Sequence, residues 1–239
     1  MASAVGLDVG TSLVHGVRLE GEAGRLAVTA CFTGGVSPGL IRFCAGAARV
    51  AVDAPGGPSR GAHTADGAVA AKFRTGRCSE IPVPGVPPVP WVTPRDRDAA
   101  PAWMLTGFEV WALLREACSE VVETFPAAAF HRLNGGRWPP PKTTTAGREA
   151  RVRLLAGRVE LPGDAGRWPH DLLDAAVAAL AAATGEPLAH RCSDPDGSRM
   201  WLPPADGRPQ RPVDRSASAA MLRTIPPKTT EWNGDTAHQ

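Results

Sequence analysis

The chain has 239 residues, a formal net charge of +2 and 21% charged residues, enough for one substantial core and too little charge to grip nucleic acid through a global field. Its five cysteines, Cys31, Cys44, Cys78, Cys118 and Cys192, are scattered and include no C-x-x-C pair, so neither a disulfide framework nor a structural zinc site is expected and a reducing cytoplasm fits best. The N-terminal residues lack the pattern of a signal peptide and no stretch reaches the ~18 apolar residues of a membrane span, so a cytoplasmic protein without membrane contact is expected.

Residues 4–9 are an apolar run, Gly10-Thr11-Ser12 is turn chemistry, and 13–19 alternate as a half-exposed hairpin partner does. Gly24 precedes a third strand over 25–32, and three strands joined by short turns make an antiparallel meander. Ser37-Pro38 starts a short helix over 39–47, and the valine-rich segment 49–53 is a fourth strand. Glycine and proline dominate residues 56 to about 100, and the proline alternation over 81–90 prevents regular hydrogen bonding, so this segment reads as a long insertion. A helix follows over 103–117, with Leu105, Phe108, Trp111 and Leu114 at helical spacing. Residues 120–125 form a fifth strand stopped by Pro126, and 127–133 a short helix ended by Gly135-Gly136. Residues 147–156 form a basic helix, and the alanine-rich segment 170–184 a longer one terminated by Gly185. Met200-Trp201-Leu202 is expected as a last edge strand or anchor, and the polar residues 204–239 as a disordered tail.

Four acids stand inside or at the ends of these apolar elements: Asp8, Asp53, Glu123 and Asp174. A carboxylate in an apolar run is costly to bury unless something pairs with it. A hard divalent cation pairs with several at once and leaves room for phosphate oxygens, which points to metal-dependent phosphodiester chemistry. The element order is that of the α/β ribonuclease H-like fold: a five-stranded mixed sheet, an antiparallel meander of strands 1–3 followed by parallel strands, with helices on both faces, spanning 1–203 with the insertion at about 56–100. In that fold Asp8 and Asp53 lie on neighbouring strands, ~4.8 Å apart. Asp171 and Asp174, three residues apart, share one helix face.

Five blocks carry a resemblance: Gly6 to Gly10, Val50 to Gly56, Glu123 to Phe130, Lys142 to Arg151, and His170 to Ala175. In this order they resemble the domain of unknown function 429 family, regarded as predicted nucleases of ribonuclease H fold. The Asp-x-x-Asp-Ala signature also looks like that of Holliday-junction resolvases. The resemblance implies two-metal hydrolysis with Mg²⁺ or Mn²⁺ on a nucleic acid of unspecified type. It implies Asp8 as the bridging ligand, Asp53 and Asp174 as ligands of one ion each, Glu123 or Asp171 as a further ligand, and His170 as a proton shuttle. His170 also fits a plain helix N-terminus. The proline-rich insertion and the polar tail depart from the family pattern.

From His131 to Arg158 the chain carries Arg132, Arg137, Lys142, Arg148, Arg151, Arg153 and Arg158 against Glu149 alone. Beside an acidic metal centre such a block binds phosphates; it equally fits a solvated helix face. Lys142, Arg148 and Arg151 match the family block and are the expected substrate contacts, with Arg77 and Glu80 in a further family-like patch lining the cleft. Two other classes stay open. A noncatalytic module would keep the acidic cleft and bind nucleic acid or protein. Asp8-Val9-Gly10-Thr11-Ser12 also resembles the phosphate-binding hairpin of actin-like phosphotransferases and ATPases, for which the chain is short.

Overall fold

The first apolar run becomes strand β1 (Ala2–Val9), and the Gly10 N–H donates to the Leu13 carbonyl at 2.8 Å to close a tight turn. The chain returns antiparallel as β2 (Val14–Glu22) and again as β3 (Arg25–Gly34). Helix α1 (Pro38–Cys44), with proline in its first turn where no N–H is needed, then crosses over so that β4 (Arg49–Asp53) pairs parallel with the other edge of β1. Helix α2 (Ala102–Ala117) carries the chain to β5 (Val121–Thr124), parallel to β4. There follow α3 (Pro126–Leu133), α4 (Thr145–Ala156), β6 (Val159–Glu160), α5 (His170–Thr184), β7 (Glu186–Pro187) and β8 (Met200–Leu202). This computed structural model describes residues 2–22, 24–60, 75–189 and 198–205, all within a unit spanning Met1–Pro209.

The sheet is mixed and flanked by helices, with strand order β6-β3-β2-β1-β4-β5-β8-β7. Among the described residues it therefore has eight strands where five were expected. The additional ones, β6 and β7 of two residues each and β8 of three, are too short to leave a period in the sequence. Strand β8, expected as a last edge strand or an anchor, is a strand one place in from the edge, parallel to β5 and antiparallel to β7. Cys31, Cys44 and Cys118 are free thiols, but Cys78 is disulfide-bonded, which the cysteine spacing did not indicate. Within the 56–100 insertion the chain makes single 3₁₀ turns at Cys78–Glu80 and Arg97–Ala99. Part of that insertion and nearly all of the expected tail lie outside the described residues. No helix among the described residues is long and apolar enough to cross a membrane.

Alternation along the strands sorts side chains to two sides. Val5, Leu7, Val9, Val50 and Val52 pack with Leu40 of α1 and Val110, Trp111 and Leu114 of α2. Ala4, Ala51 and Val122 face the other way, against Ala178 and Ala182 of α5. A larger cluster on that side joins Val17, Leu19 and Leu26 to Phe130, Leu155, Leu173 and Leu180. Small residues on both partners let α5 lie unusually close to the sheet. A Cβ on Gly6 would stand 2.0 Å from the Ala179 nitrogen and 2.3 Å from the Ala175 oxygen.

Both atoms belong to backbone, so neither can swing aside. Gly6→Ala is expected to lift α5 from β1 and destabilise the protein by about 3 kcal/mol or more, at or beyond the upper end of ordinary overpacking. Urea denaturation checks this, and a change under about 1 kcal/mol would contradict the close packing.

Candidate functional site

Strands β1 and β4 end together, with Asp8 paired in register with Asp53. The same alternation that turns Ala4, Gly6 and Ala51 toward α5 turns both carboxyls that way. Helix α5 runs with its N-terminal end over this point and adds the buried Asp174. Asp171, one turn earlier, is one-third exposed and lies at the rim. The close seat of α5 on Gly6 thus places a third carboxyl beside the two on the strands.

These groups repel one another in a place with little solvent. Asp8 is pushed up from 3.8 to about 7, first by burial and then by the charges of Asp174 and Asp171, while Lys142 and a hydrogen bond from Asp53 oppose the shift. Asp53 is raised well above the usual carboxylate range, by burial first and then by Asp8 and Asp174. Without a cation, burial and mutual repulsion hold both strand carboxyls toward their protonated forms. Asp174 is raised by burial against the opposing pull of Lys142, Arg151 and His170.

Lys142 donates to Asp174 Oδ2 at 2.8 Å. Burial pulls its ammonium pKa down, but Asp174, Asp8 and Asp171 outweigh that and hold it above the ordinary value. Its position follows from the α4 N-terminus. Thr144 caps the helix by accepting from the Gly147 N–H at 3.0 Å and donates to the Pro141 carbonyl at 2.8 Å. That fixes the preceding turn and aims Lys142 at α5. Arg151 supports the same turn from behind, donating to the carbonyls of Pro140 and Gly147 at 3.0 Å each and lying over the Phe130 ring. Arg148 is half-buried and makes no side-chain hydrogen bond or ion pair among the described residues.

Two histidines flank Asp171. His170 Nδ1 lies 2.6 Å from Asp171 Oδ1. His15 Nε2 lies 3.9 Å from Asp171 Oδ2, with its Nδ1 3.0 Å from Thr33 Oγ1. His15 was not singled out from the sequence. The signal was present in the hairpin, because the tight turn after β1 puts residue 15 directly opposite residue 8.

Glu123 does not join this group. It pairs in register with Val52, so it projects from the α2 side of the sheet while Asp8 and Asp53 project from the α5 side. There the Arg77 guanidinium donates to Glu123 Oε2, and Ser79 Oγ donates to Oε1 at 3.0 Å. Both Arg77 and Glu123 are buried, and Arg77 stands with Glu123, away from Asp8 and Asp53. Glu80 is likewise enclosed, accepting from the N–H groups of Arg77 and Thr93 at 3.0 Å and from the Thr93 hydroxyl. Its carboxyl is raised by burial, against those hydrogen bonds. Glu80 therefore anchors the insertion.

The donor set can be weighed against a divalent cation. Asp8, Asp53 and Asp174 bring three negative charges when ionised and Lys142 one positive charge, so two charges remain for a cation, and all the donors are hard oxygens. As placed, no three His, Cys, Asp or Glu side chains among the described residues are grouped to hold a metal ion. Lys142 occupies Asp174 instead. The residues fit a divalent ion by charge and donor chemistry, with Lys142 as the competing cation.

The family described as Protein of unknown function (DUF429) matches residues 6–196. No curated protein is matched by the sequence. Among solved structures, the chain is similar to that titled Thermus thermophilus RuvC structure, at 16% identity and a TM-score of 0.38, over 74% of this chain and 90% of that one.

Between the ordinary value of 3.8 and about 7, native Asp8 keeps a proton that the unfolded chain has released. In the absence of divalent ions, the stability that protonated Asp8 contributes is therefore expected to be lost as pH rises through that window. Thermal melts from pH 4 to 8 in EDTA check this, and Asp8→Asn should flatten the slope. Glu123→Gln is expected to cost about 3–5 kcal/mol in urea, because it strands a buried guanidinium, while divalent-ion binding persists. Loss of ion binding at unchanged stability would instead assign Glu123 to the acidic group.

Proposed function

The chain belongs to the DUF429 family, and on that premise we propose that it is a metal-dependent nuclease of ribonuclease H-like fold that hydrolyses phosphodiester bonds of nucleic acid. The observation that carries this reading is the meeting of Asp8, Asp53 and Asp174 on one side of the sheet, with raised pKa values that a cation would relieve. The strand order supports it. Strands β3-β2-β1-β4-β5, with the first three antiparallel and β4 and β5 parallel to β1, follow the arrangement of that fold, and the short strands extend it at both edges.

Asp8, Asp53 and Asp174 are the residues that would hold a divalent ion, and in a two-ion site Asp171 at the rim is the fourth carboxylate, without Glu123. Bound divalent ions supply polarisation of the scissile phosphate and a more acidic attacking water. The chain's own groups bind and orient. Lys142 is a protonated, half-exposed cation held against Asp174, and a substrate phosphate offers it an alternative partner. Arg148 lies on the same helix face as Arg151, three residues away, and adds a second cation. His170 and His15 flank Asp171, and in this reading they hand a proton to the departing oxygen. The Lys142 to Asp174 ion pair favours one competing reading, a nucleic-acid-binding module in which the ammonium has permanently replaced the metal.

Calorimetric titration with Mg²⁺ and Mn²⁺, paired with cleavage of single-stranded, duplex and branched substrates in Mn²⁺, separates the two. Wild type is expected to bind the ion and cleave. Asp8→Asn should lose ion binding and lower cleavage by at least about a hundredfold, in the range for removing one charge-stabilising group. Because the substitution removes repulsion, it should not lower the melting temperature. Identical background products from both proteins would end the nuclease reading.

A further inference from the structure

The sheet presents a second, differently charged feature at the outer edge of β5. Strand β8 pairs with Glu123 and Thr124 only, and beside the remaining edge, Val121 and Val122, opens a cavity of about 300 Å³. Arg77, Arg115 and Arg199 line it, with Glu123 as the one acid among the described residues, and Trp111 and Trp201 complete the walls. None of Asp8, Asp53, Asp171, Asp174 or Lys142 lines it, so it is separate from the acidic group.

The charge balance is specific. Arg77 is bound to Glu123, and that pair cancels. Arg115 lies over the Trp111 ring at 4.9 Å from its centroid, and Arg199 is exposed in the chain just before β8. Neither has a carboxylate within ion-pair distance among the described residues. Two guanidinium groups thus face one cavity with their charge uncompensated there. The pKa of Arg115 is drawn down by burial first and then by the charges of Arg77 and Arg60, as expected where like charges converge.

A planar guanidinium offers a fork of parallel N–H donors that one pair of oxygens fills. A carboxylate has a single such pair. A tetrahedral dianion presents enough oxygens for two forks and carries the two charges the cavity lacks. The volume suits a small molecule and not a polymer, and Trp201 and Val121 give an apolar wall beyond the arginines.

We propose that this cavity binds a small phosphate monoester, its phosphate held by Arg115 and Arg199 and its organic part against Trp201 and Val121. The site stands independently of nuclease activity.

The test is calorimetry on the full chain with adenosine 5′-monophosphate, inorganic phosphate and adenosine as probes. The monophosphate is expected to bind, inorganic phosphate to bind more weakly, and adenosine to give no heat. Arg115→Gln/Arg199→Gln should weaken the monophosphate at least about tenfold, the loss of charge-assisted hydrogen bonds. The single Arg199→Gln, on exposed chain, should weaken it at unchanged melting temperature, and Asp8→Asn should leave it unaltered. Equal affinity in wild type and the double variant, no heat from the monophosphate at millimolar concentration, or inorganic phosphate binding as tightly as the monophosphate would each overturn the proposal.

Discussion

Everything near the acidic group depends on how closely α5 lies on β1. Gly6 has no side chain, α5 is lined with alanine, and the helix backbone therefore descends onto the strand where any Cβ would collide. Because the helix is rigid, that seat fixes Asp174 over the ends of β1 and β4, where Asp8 and Asp53 already stand side by side. Three carboxyls in so little solvent cannot all stay ionised. The protein answers with one ammonium, Lys142, and with carboxyls held toward their protonated forms. An arrangement of this kind is stable enough to fold and remains short of positive charge, and that shortage gives the group its chemical interest.

The other side of the sheet obeys different electrostatics. Glu123 is one residue out of phase with Asp53 across the β4–β5 pair, and that single step sends its carboxyl through to the α2 side. There it neutralises a buried arginine from the insertion. Glu80 then locks the same turn through the N–H groups of Arg77 and Thr93, so a segment rich in proline and glycine is tied to the sheet by buried polar contacts where it has little regular structure of its own. The result is a molecule acidic on one side of its sheet and, at the edge of β5, basic on the other.

Much of the sheet was legible in the sequence, because five of its strands are long enough to show a period or an apolar run bounded by turn residues. The alanine-rich helix over 170–184 was legible for the same reason. Strands of two or three residues were not: β6, β7 and β8 form because neighbouring chain offers them hydrogen bonds, and nothing in so short a segment announces that. His15 was recoverable from hairpin register but carries no local mark that separates it from a surface histidine. The disulfide at Cys78 leaves no signature in the cysteine spacing.

For the candidate site the division is similar. The sequence by itself determined which acids are anomalous, since an aspartate inside or at the end of an apolar strand is a local fact with a local cost, and it determined that Asp8 and Asp53 sit on elements able to pair. Only the tertiary structure decided which acids face one another, that Lys142 answers Asp174, and that Arg77 belongs to Glu123. The physical reason is that periodicity reports a residue's immediate neighbours along the chain. The partner of a buried charge is set instead by crossovers tens of residues long and by which side of the sheet a one-residue register step exposes.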